Sequence, residues 1–458
     1  MYETIFRKTV GRRRVYNASE LAWFYASKTS AEEIESRQLH RFNDLWDYAR
    51  FNCPYWTDVA RQYRLPDALY SLRQLEDFPI LTKSDIRENR EKIFRLSDGS
   101  AITSQYATSG STGSPAKFPK GRADAAERAN EVFAYRFAQG IVPFDRFVYL
   151  GGIPGSMTQG LAGSVQLYKR KVMDIVGNSR RMSAFNLDDG QLDASLALIQ
   201  KFKPRHLIGF PSKILPLARL ANRMQDTYDF SFIDTVILSS ENFSKAEVVE
   251  ISSAFSCDVI SEYGAEEVGV IAASSRSRLC LDVRWNSIAV RVADSSGSAL
   301  ITTLGQRAFP LIQYELGDLI EPSCVQNGSV LAISSVLGRT RESILVRRLN
   351  SLPPLPLLPL HLVHIMRAFS NISDVQFFQC GEGEIEIYIC MDGNVSLDEV
   401  ARFFAVKLSE LYPDVDKKAI RISSVSNPVM GAREKRKVVL GSAHPAVLDS
   451  VSLPIRTD

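Results

Sequence analysis

Between residues 147 and 255, short apolar runs alternate with helical segments, and this alternation constrains the fold more than any other feature. Residues 146–152 read as a strand and 192–202 as a helix. Residues 206–210 form a second strand, followed by a helix over 213–224. A third strand over 235–240, a helix over 245–255 and a fourth strand over 258–264 complete the series. Strands that alternate with crossover helices build a largely parallel sheet. Ligands of such sheets bind beyond the carboxyl ends of the strands. Gly209-Phe210-Pro211-Ser212, Ser240-Glu241-Asn242 and Tyr263-Gly264 occupy those ends.

The texture changes on either side of this region. Residues 31–51 carry aromatic and aliphatic residues at helical spacing, and their aromatics read as packing. Thr82 and Ser84 are placed to cap a helix beginning at Asp85-Ile86-Arg87-Glu88. Residues 281–294 and 299–304 flank a turn at 295–298 and read as an antiparallel hairpin. The apolar run 309–313 also reads as a strand. From Gly338 onward the chain suggests a small separate α/β unit. It has a helix-like stretch at 361–369, strands over 375–380 and 384–392 around Gly381-Glu382-Gly383, and a helix over 397–411.

Composition narrows the function classes. The 458 residues are 45% hydrophobic and 23% charged, which is ordinary for a globular protein. Lys and Arg number 55 against 52 Asp and Glu, a net charge of +3. That balance argues against a nucleic-acid partner. The six cysteines form no CxxC pair, which argues against a zinc ribbon or disulfide framework and suits a reducing, cytoplasmic setting. No apolar run reaches the ~18 residues of a membrane span; 352–366 is interrupted by four prolines.

Five peptides carry candidate chemistry. Thr108-Ser109-Gly110-Ser111-Thr112-Gly113-Ser114-Pro115 offers hydroxyls and flexible backbone amides that can surround phosphate oxygens. It lacks the GK[ST] ending of a Walker loop, and on composition alone it reads as a flexible surface loop. Glu262-Tyr263-Gly264-Ala265-Glu266-Glu267 puts a ring and carboxylates after an apolar strand, where a base and Mg²⁺ could be held; alone it reads as an acidic turn. Tyr314-Glu315-Leu316-Gly317-Asp318 offers an acid suited to ribose hydroxyls, or a β-turn. Gly338-Arg339-Thr340-Arg341-Glu342 puts arginines where the texture changes. Arg433-Glu434-Lys435-Arg436-Lys437 is a basic run near the C-terminus.

In this order the five peptides resemble the adenylate-forming superfamily of acyl-CoA synthetases, peptide-synthetase adenylation domains and luciferases. The details look like its phenylacetate–CoA ligase branch, which includes ligase-like proteins of capsule-biosynthesis clusters. Residues 78–87 (Phe78-Pro79-Ile80-Leu81-Thr82-Lys83-Ser84-Asp85-Ile86-Arg87) resemble that branch's N-terminal signature. Ile208-Gly209-Phe210-Pro211-Ser212 resembles its GxPS strand end, 307–314 its RAFPLIRY segment, and Phe377-Phe378-Gln379 a small-domain strand. The resemblance spans residues 78–437.

It implies an α/β fold. A large N-terminal domain over 1–337 would hold mainly parallel sheets, helices and a small antiparallel β subdomain. A small mobile α+β domain over 338–458 would carry the late lysine. It implies a two-step reaction in which a small-molecule carboxylic acid is activated by ATP and Mg²⁺ as an acyl-adenylate. The acyl group then passes to a thiol of CoA or of a phosphopantetheine-bearing acyl carrier protein. By the same resemblance Thr108, Ser109, Gly110, Ser111, Thr112 and Gly113 hold phosphates. Glu262, Tyr263 and Gly264 face the adenine, Glu267 binds Mg²⁺, Asp318 and Arg339 meet the ribose, and Arg341 is the hinge. Lys435 contacts the reacting carboxylate and α-phosphate, with Lys437 its alternative. Position at strand ends marks Gly151, Gly152, Phe210, Ser240 and Tyr263 as candidates for the acid pocket.

The chain departs from the family pattern at Ala116, Gln313, Arg341-Glu342 and Glu434. Two alternatives therefore stand beside the thioester-forming reading. One is adenylation with an amine, hydroxyl or other non-thiol acceptor. The other is a catalytically weak homologue that retains nucleotide binding.

Overall fold

The structure is a computed structural model of the chain. Its described residues are 25, 29–95, 104–107, 117–142, 145–151, 168, 171–172, 174–175, 177–182, 189–241, 243, 245–276, 278–294, 297–339, 344–357, 362, 365–366, 372–391, 396–426, 439–440 and 447–452. Two compact units emerge: Met1–Leu316 with Ile320–Ser335, and Gly317–Leu319 with Val336–Asp458.

The first unit opens with α1 (Ala31–Asn52), α2 (Pro54–Gln62) and α3 (Lys83–Ile93). Phe42, Leu45, Trp46 and Ala49 line one face of α1 at helical spacing and are buried, as the sequence pattern anticipates. Thr82 caps α3. Its hydroxyl accepts from Asp85 N while the Asp85 carboxylate accepts from Thr82 N, a capping box that fixes where the helix begins. The hairpin β1 (Ser104–Ala107) and β2 (Lys117–Lys120) precedes α4 (Arg122–Ala138).

The alternating region forms β3 (Phe147–Leu150), β4 (Ser179–Met182), α5 (Asp189–Phe202), β5 (His206–Gly209), α6 (Pro211–Arg223), β6 (Thr235–Ser239), α7 (Lys245–Phe255) and β7 (Asp258–Ala265). Its strands pair in parallel, in the order β4-β3-β5-β6-β7. Antiparallel strands then continue the same sheet: β8 (Gly269–Ser275), β9 (Arg278–Val283), β10 (Ile288–Val292), β11 (Ser298–Thr303), β12 (Tyr314–Gln326) and β13 (Ser329–Arg339). The eleven strands form one sheet, ordered β10-β11-β12-β13-β9-β8-β7-β6-β5-β3-β4. The helical crossovers put α5, α6 and α7 on the face that buries Val148, Leu150, Leu207, Val236, Leu238 and Val259. Phe147, Ile208, Ile237 and Ile260 alternate onto the other face and form a smaller apolar cluster with Ile141.

One expected strand does not form. Residues 309–313 are irregular, and strand geometry begins only at Tyr314. Gln313 is left-handed (φ 50°). Its N–H is spent on Thr302 Oγ1 (3.0 Å) and its side-chain amide on Leu75 O (2.8 Å). The run is apolar because Phe309, Leu311 and Ile312 are fully buried, with no sheet required.

The second unit holds the hairpin β14 (Ile344–Val346) and β15 (Leu355–Leu357). It also holds β16 (Ile372–Gly381), β17 (Glu384–Met391), α8 (Leu397–Leu411), β18 (Ile420–Val425), β19 (Val439–Leu440) and β20 (Val447–Ser452). The sheet order is β19-β16-β17-β18-β20. Val400, Phe404 and Leu408 of α8 pack on Phe377, Ile387 and Ile422. Among the described residues no helix is long and apolar enough to cross a membrane, and all six cysteines are free thiols.

Candidate active site

Tyr263 and Gly264 lie within β7, one turn of chain before Glu266 and Glu267, which occupy the tight connection to β8. The ladder is irregular between Tyr263 and Gly264. A Cβ on Gly264 would stand 2.3 Å from Gly269 O and 2.8 Å from Val270 Cα, so the hairpin closes only because position 264 has no side chain.

The closed hairpin delivers Glu267 into the first unit with 3% of its surface exposed. Its Oε1 accepts a hydrogen bond from Tyr314 Oη at 2.8 Å, and Lys83 Nζ lies 3.9 Å from the same oxygen. Both partners are supplied by one local structure. Leu81 bridges to Tyr314, with Leu81 N–H donating to Gln313 O (3.0 Å) and Glu315 N–H to Leu81 O (2.9 Å). The 78–87 signature is thus stitched to the start of β12. It presents Lys83 from the first turn of α3 while β12 presents Tyr314.

Arg128 of α4 holds the backbone of the same hairpin. Its guanidinium donates to the carbonyls of Glu267 (2.6 Å) and Glu266 (3.2 Å) and to Gln306 Oε1 (3.2 Å). One turn earlier, Asp124 accepts from the N–H groups of Arg307 (3.2 Å) and Ala308 (3.1 Å). Burial raises the Asp124 pKa despite these bonds. The helix that follows residues 108–120 therefore grips both the Glu267 turn and the 306–308 segment.

Glu262 precedes Tyr263 and is also buried. Arg136 donates to it through two bonds, Nε to Oε1 (2.9 Å) and Nη2 to Oε2 (3.0 Å). Burial opposes the charge on Arg136, but Glu262 and the hydroxyl of Tyr149 outweigh it and hold its pKa above the ordinary value.

The parallel register aligns Leu150, Gly209, Leu238 and Ser261 across the sheet, and Ser239 with Glu262. Gly151 and Phe210 are the first residues beyond the ends of β3 and β5. Gly209 permits the close pairing, since a Cβ there would sit 2.7 Å from Leu150 O. Phe210 follows β5 and is the N-cap residue of α6, whose Ser212 N–H donates to Glu241 Oε2 (3.0 Å). The strand-end serine in register with Glu262 is Ser239. Ser240 lies one residue beyond, exposed and left-handed (φ 72°).

The structure thus gathers Glu262, Tyr263, Gly264, Glu267, Gly151 and Phe210 in the first unit. Asp318 and Arg339 belong to the second, where Arg339 Nε donates to Asp318 Oδ1 at 3.1 Å. Asp318 is buried and Arg339 half-exposed. Asp318 lies inside β12, not beyond a strand end as the sequence suggests. Thr108, Ser109, Gly110, Ser111, Thr112, Gly113, Gly152, Arg341, Lys435 and Lys437 lie outside the described residues.

Arg128 and Arg136 had no sequence signal, because the partners of Arg128 are 138, 139 and 178 positions away and that of Arg136 is 126 away. Lys83 and Tyr314 stand within recognisable peptides, but spacing alone does not bring them together on Glu267. Among the described residues no group of three or more His, Cys, Asp and Glu is arranged to hold a metal. A single buried carboxylate suits Mg²⁺, which keeps waters and phosphate oxygens as its other ligands.

No protein-family model matches the chain. Protein CapK of Staphylococcus aureus is 24% identical over 62% of either sequence, so the chain spans less than two thirds of that relative. The phenylacetate-coenzyme A ligase of Aromatoleum evansii is 25% identical, over 71% of this chain and 75% of that one. The solved 2-hydroxyisobutyryl-CoA ligase in its postadenylation state superposes with a TM-score of 0.69 over 90% of each chain, at 16% identity. The relatives of this chain are therefore CapK and phenylacetate-coenzyme A ligases, and its fold is that of the adenylate-forming acyl-CoA ligases.

Proposed function

We propose that the protein activates a carboxylic acid with ATP and transfers the acyl group to the thiol of coenzyme A. The observation that carries this reading is the buried Glu267 carboxylate, oriented through one oxygen by Tyr314 and Lys83 at the end of the parallel sheet. A fold shared with ligases solved with acyl-adenylates supports it.

In the first step a carboxylate oxygen attacks the α-phosphorus of ATP. The bond from that phosphorus to the bridging oxygen breaks, and its electron pair leaves with pyrophosphate. In the second, the thiol sulfur attacks the acyl carbonyl, the bond to AMP breaks, and the thiol proton passes to solvent. An anion must approach a polyanion in the first step, so fixed positive charge at the site does most of the work. Mg²⁺ held by Glu267 would neutralise phosphate charge. Tyr314 fixes the carboxylate, and Lys83 adds a cation 3.9 Å from it.

The remaining assignments belong to the same proposal and rest on the family resemblance. Residues 108–113 cradle the phosphates, Tyr263 stacks on adenine, and Asp318 and Arg339 serve the ribose. Lys435 neutralises the reacting carboxylate and α-phosphate. A small domain over 338–458 turns about Arg341 between the two steps, a gating motion. A carrier-protein thiol is the second acceptor to test, and a cytoplasmic setting suits these substrates.

The test is pyrophosphate release with Mg-ATP against a panel of carboxylic acids, with hydroxylamine trapping the activated acyl group. An acid-dependent hydroxamate, followed by CoA-dependent turnover, is the expected result. Absence of both acid-dependent pyrophosphate and nucleotide binding by calorimetry would overturn the reading.

A further inference from the structure

The sheet face under α4 is apolar at one level and charged at the next. Ile208, Ile237 and Ile260 fill its interior beside Phe147 and Tyr149. Nearer the carboxyl ends Ser239 pairs with Glu262, and Gly151 and Phe210 follow directly on the paired Leu150 and Gly209. Among the described residues, a Cβ built on Gly151 meets no atom within 4 Å. Glu262 makes this level polar at its β7 end.

Arg136 sets the chemistry of the polar end. Its side chain keeps 13% of its surface accessible and that of Glu262 only 5%. Glu262 accepts from Nε and Nη2, satisfying both carboxylate oxygens. A guanidinium has five N–H donors; two go to Glu262 and Tyr149 also bonds the group, which leaves donors beyond these contacts. The pair is neutral overall. A second carboxylate on a ligand would meet Glu262 as well as Arg136, whereas an uncharged oxygen would meet only available donors. An apolar ligand end would strip water from those donors and return nothing.

We propose that Arg136, Glu262 and Tyr149 select carboxylic acids that carry a neutral hydrogen-bonding oxygen, a hydroxyl or a carbonyl, remote from the reacting carboxylate. This rests on the acid-activating reading above and names its substrate class. Arg136 is the specificity-determining donor, Glu262 orients it through two bonds, and Tyr149 of β3 bonds it as well. A pair that serves packing alone would impose no such selectivity, and the experiment separates the two.

The experiment measures binding by calorimetry of non-hydrolysable acyl-sulfamoyl adenosines. They are matched in pairs that differ only by a terminal hydroxyl, in an aryl and a short-chain series. The parent protein is expected to bind the hydroxylated member at least about 10-fold tighter in one series. In the double variant Arg136→Leu/Glu262→Leu, which removes the pair without stranding a charge, that preference falls below about 2-fold or reverses. Tyr149→Phe, the milder variant, is expected to lower it part of the way. Equal binding of paired compounds, or a preference that survives the double variant and Tyr149→Phe, overturns the inference and leaves acid activation standing. Binding of AMP with neither analogue also overturns it. Failure to bind AMP as well sinks the activation reading itself.

Discussion

Tyr314 donates its hydroxyl to Glu267 Oε1 at 2.8 Å, and neither side chain has more than 3% of its surface exposed. The bond joins the β7–β8 turn to the first residue of β12 across 47 positions. It removes one rotational freedom from the carboxylate proposed to hold Mg²⁺. Tyr314→Phe keeps the ring and deletes the bond. A hydrogen bond to a charged group stabilises by roughly 1.5–3 kcal/mol. Acid-dependent pyrophosphate release is therefore expected to fall about 10- to 100-fold, with a higher Mg²⁺ concentration for half-maximal rate. An unchanged Mg²⁺ dependence would remove Tyr314 from the site.

Arg128 acts on the same turn through its backbone. Arg128→Met loses three hydrogen bonds, to Glu266 O, Glu267 O and Gln306 Oε1. The expected effect is a drop in turnover of about 10-fold or more, larger than the change in KM for ATP, because remote misplacement acts on the chemical step. Arg128→Lys restores one donor and should recover part of the rate. Loss of thermal stability with normal turnover in the surviving protein would make Arg128 purely structural.

Two glycines near the site should respond in opposite ways to alanine. Gly264→Ala forces a Cβ within 2.3 Å of Gly269 O and must shift the hairpin. Overpacking of this kind costs about 1–3 kcal/mol, visible as a lower midpoint in urea. Gly151→Ala adds a methyl where the described residues leave space and should change the unfolding free energy by no more than about 0.5 kcal/mol. Equal destabilisation by both would contradict the packing described for β7 and β8.

Acid should loosen the amino ends of the parallel strands. Buried His206 bonds Asp145 Oδ2 at 3.0 Å, and Arg276 bonds both Asp234 and Asp258. Burial works against the Asp145 charge, but His206, the Val142 N–H and Arg205 outweigh it and lower the pKa. Asp234 is lowered chiefly by its bond to Arg276. Carboxylates with depressed folded pKa values contribute stability above their ordinary value of 3.8. That contribution is lost as pH falls through the lower folded values. Asp234→Asn should flatten the fall of the unfolding temperature between about pH 5 and pH 3. A variant with the parent's full acid sensitivity would show that this network does not carry it.

Lys435 is the remaining assignment open to direct test. Lys435→Ala is expected to cut adenylate formation by about 100-fold or more while changing ATP affinity little, as for a cation needed chiefly in the transition state. Parent-like activity in Lys435→Ala, with loss in Lys437→Ala, would transfer the role to Lys437.

Much of this molecule was legible in its sequence because the deciding interactions are local or periodic. The alternation over 147–255 determined the parallel strands and their crossover helices. Thr82 and Asp85, three residues apart, determined where α3 starts. Gly381-Glu382-Gly383 marked the β16–β17 turn. The peptides around Glu262–Glu267 and Tyr314–Asp318 hold the two residues that the Tyr314–Glu267 hydrogen bond joins, but their pairing across the fold is not written in either peptide.

Tertiary structure decided the rest. The apolar run 309–313 has the composition of a strand, yet left-handed Gln313 and its bonds to Thr302 and Leu75 make it a buried loop. An apolar pattern reports burial, and only the neighbours determine which backbone shape achieves it. The same holds for the charges. Nothing near Glu262 in sequence foretells Arg136, and nothing near Glu267 foretells Arg128 or Lys83. Each pairing forms because α3 and α4 close over the carboxyl ends of a sheet whose strands come from distant parts of the chain. A buried carboxylate must find its donors wherever the fold brings them.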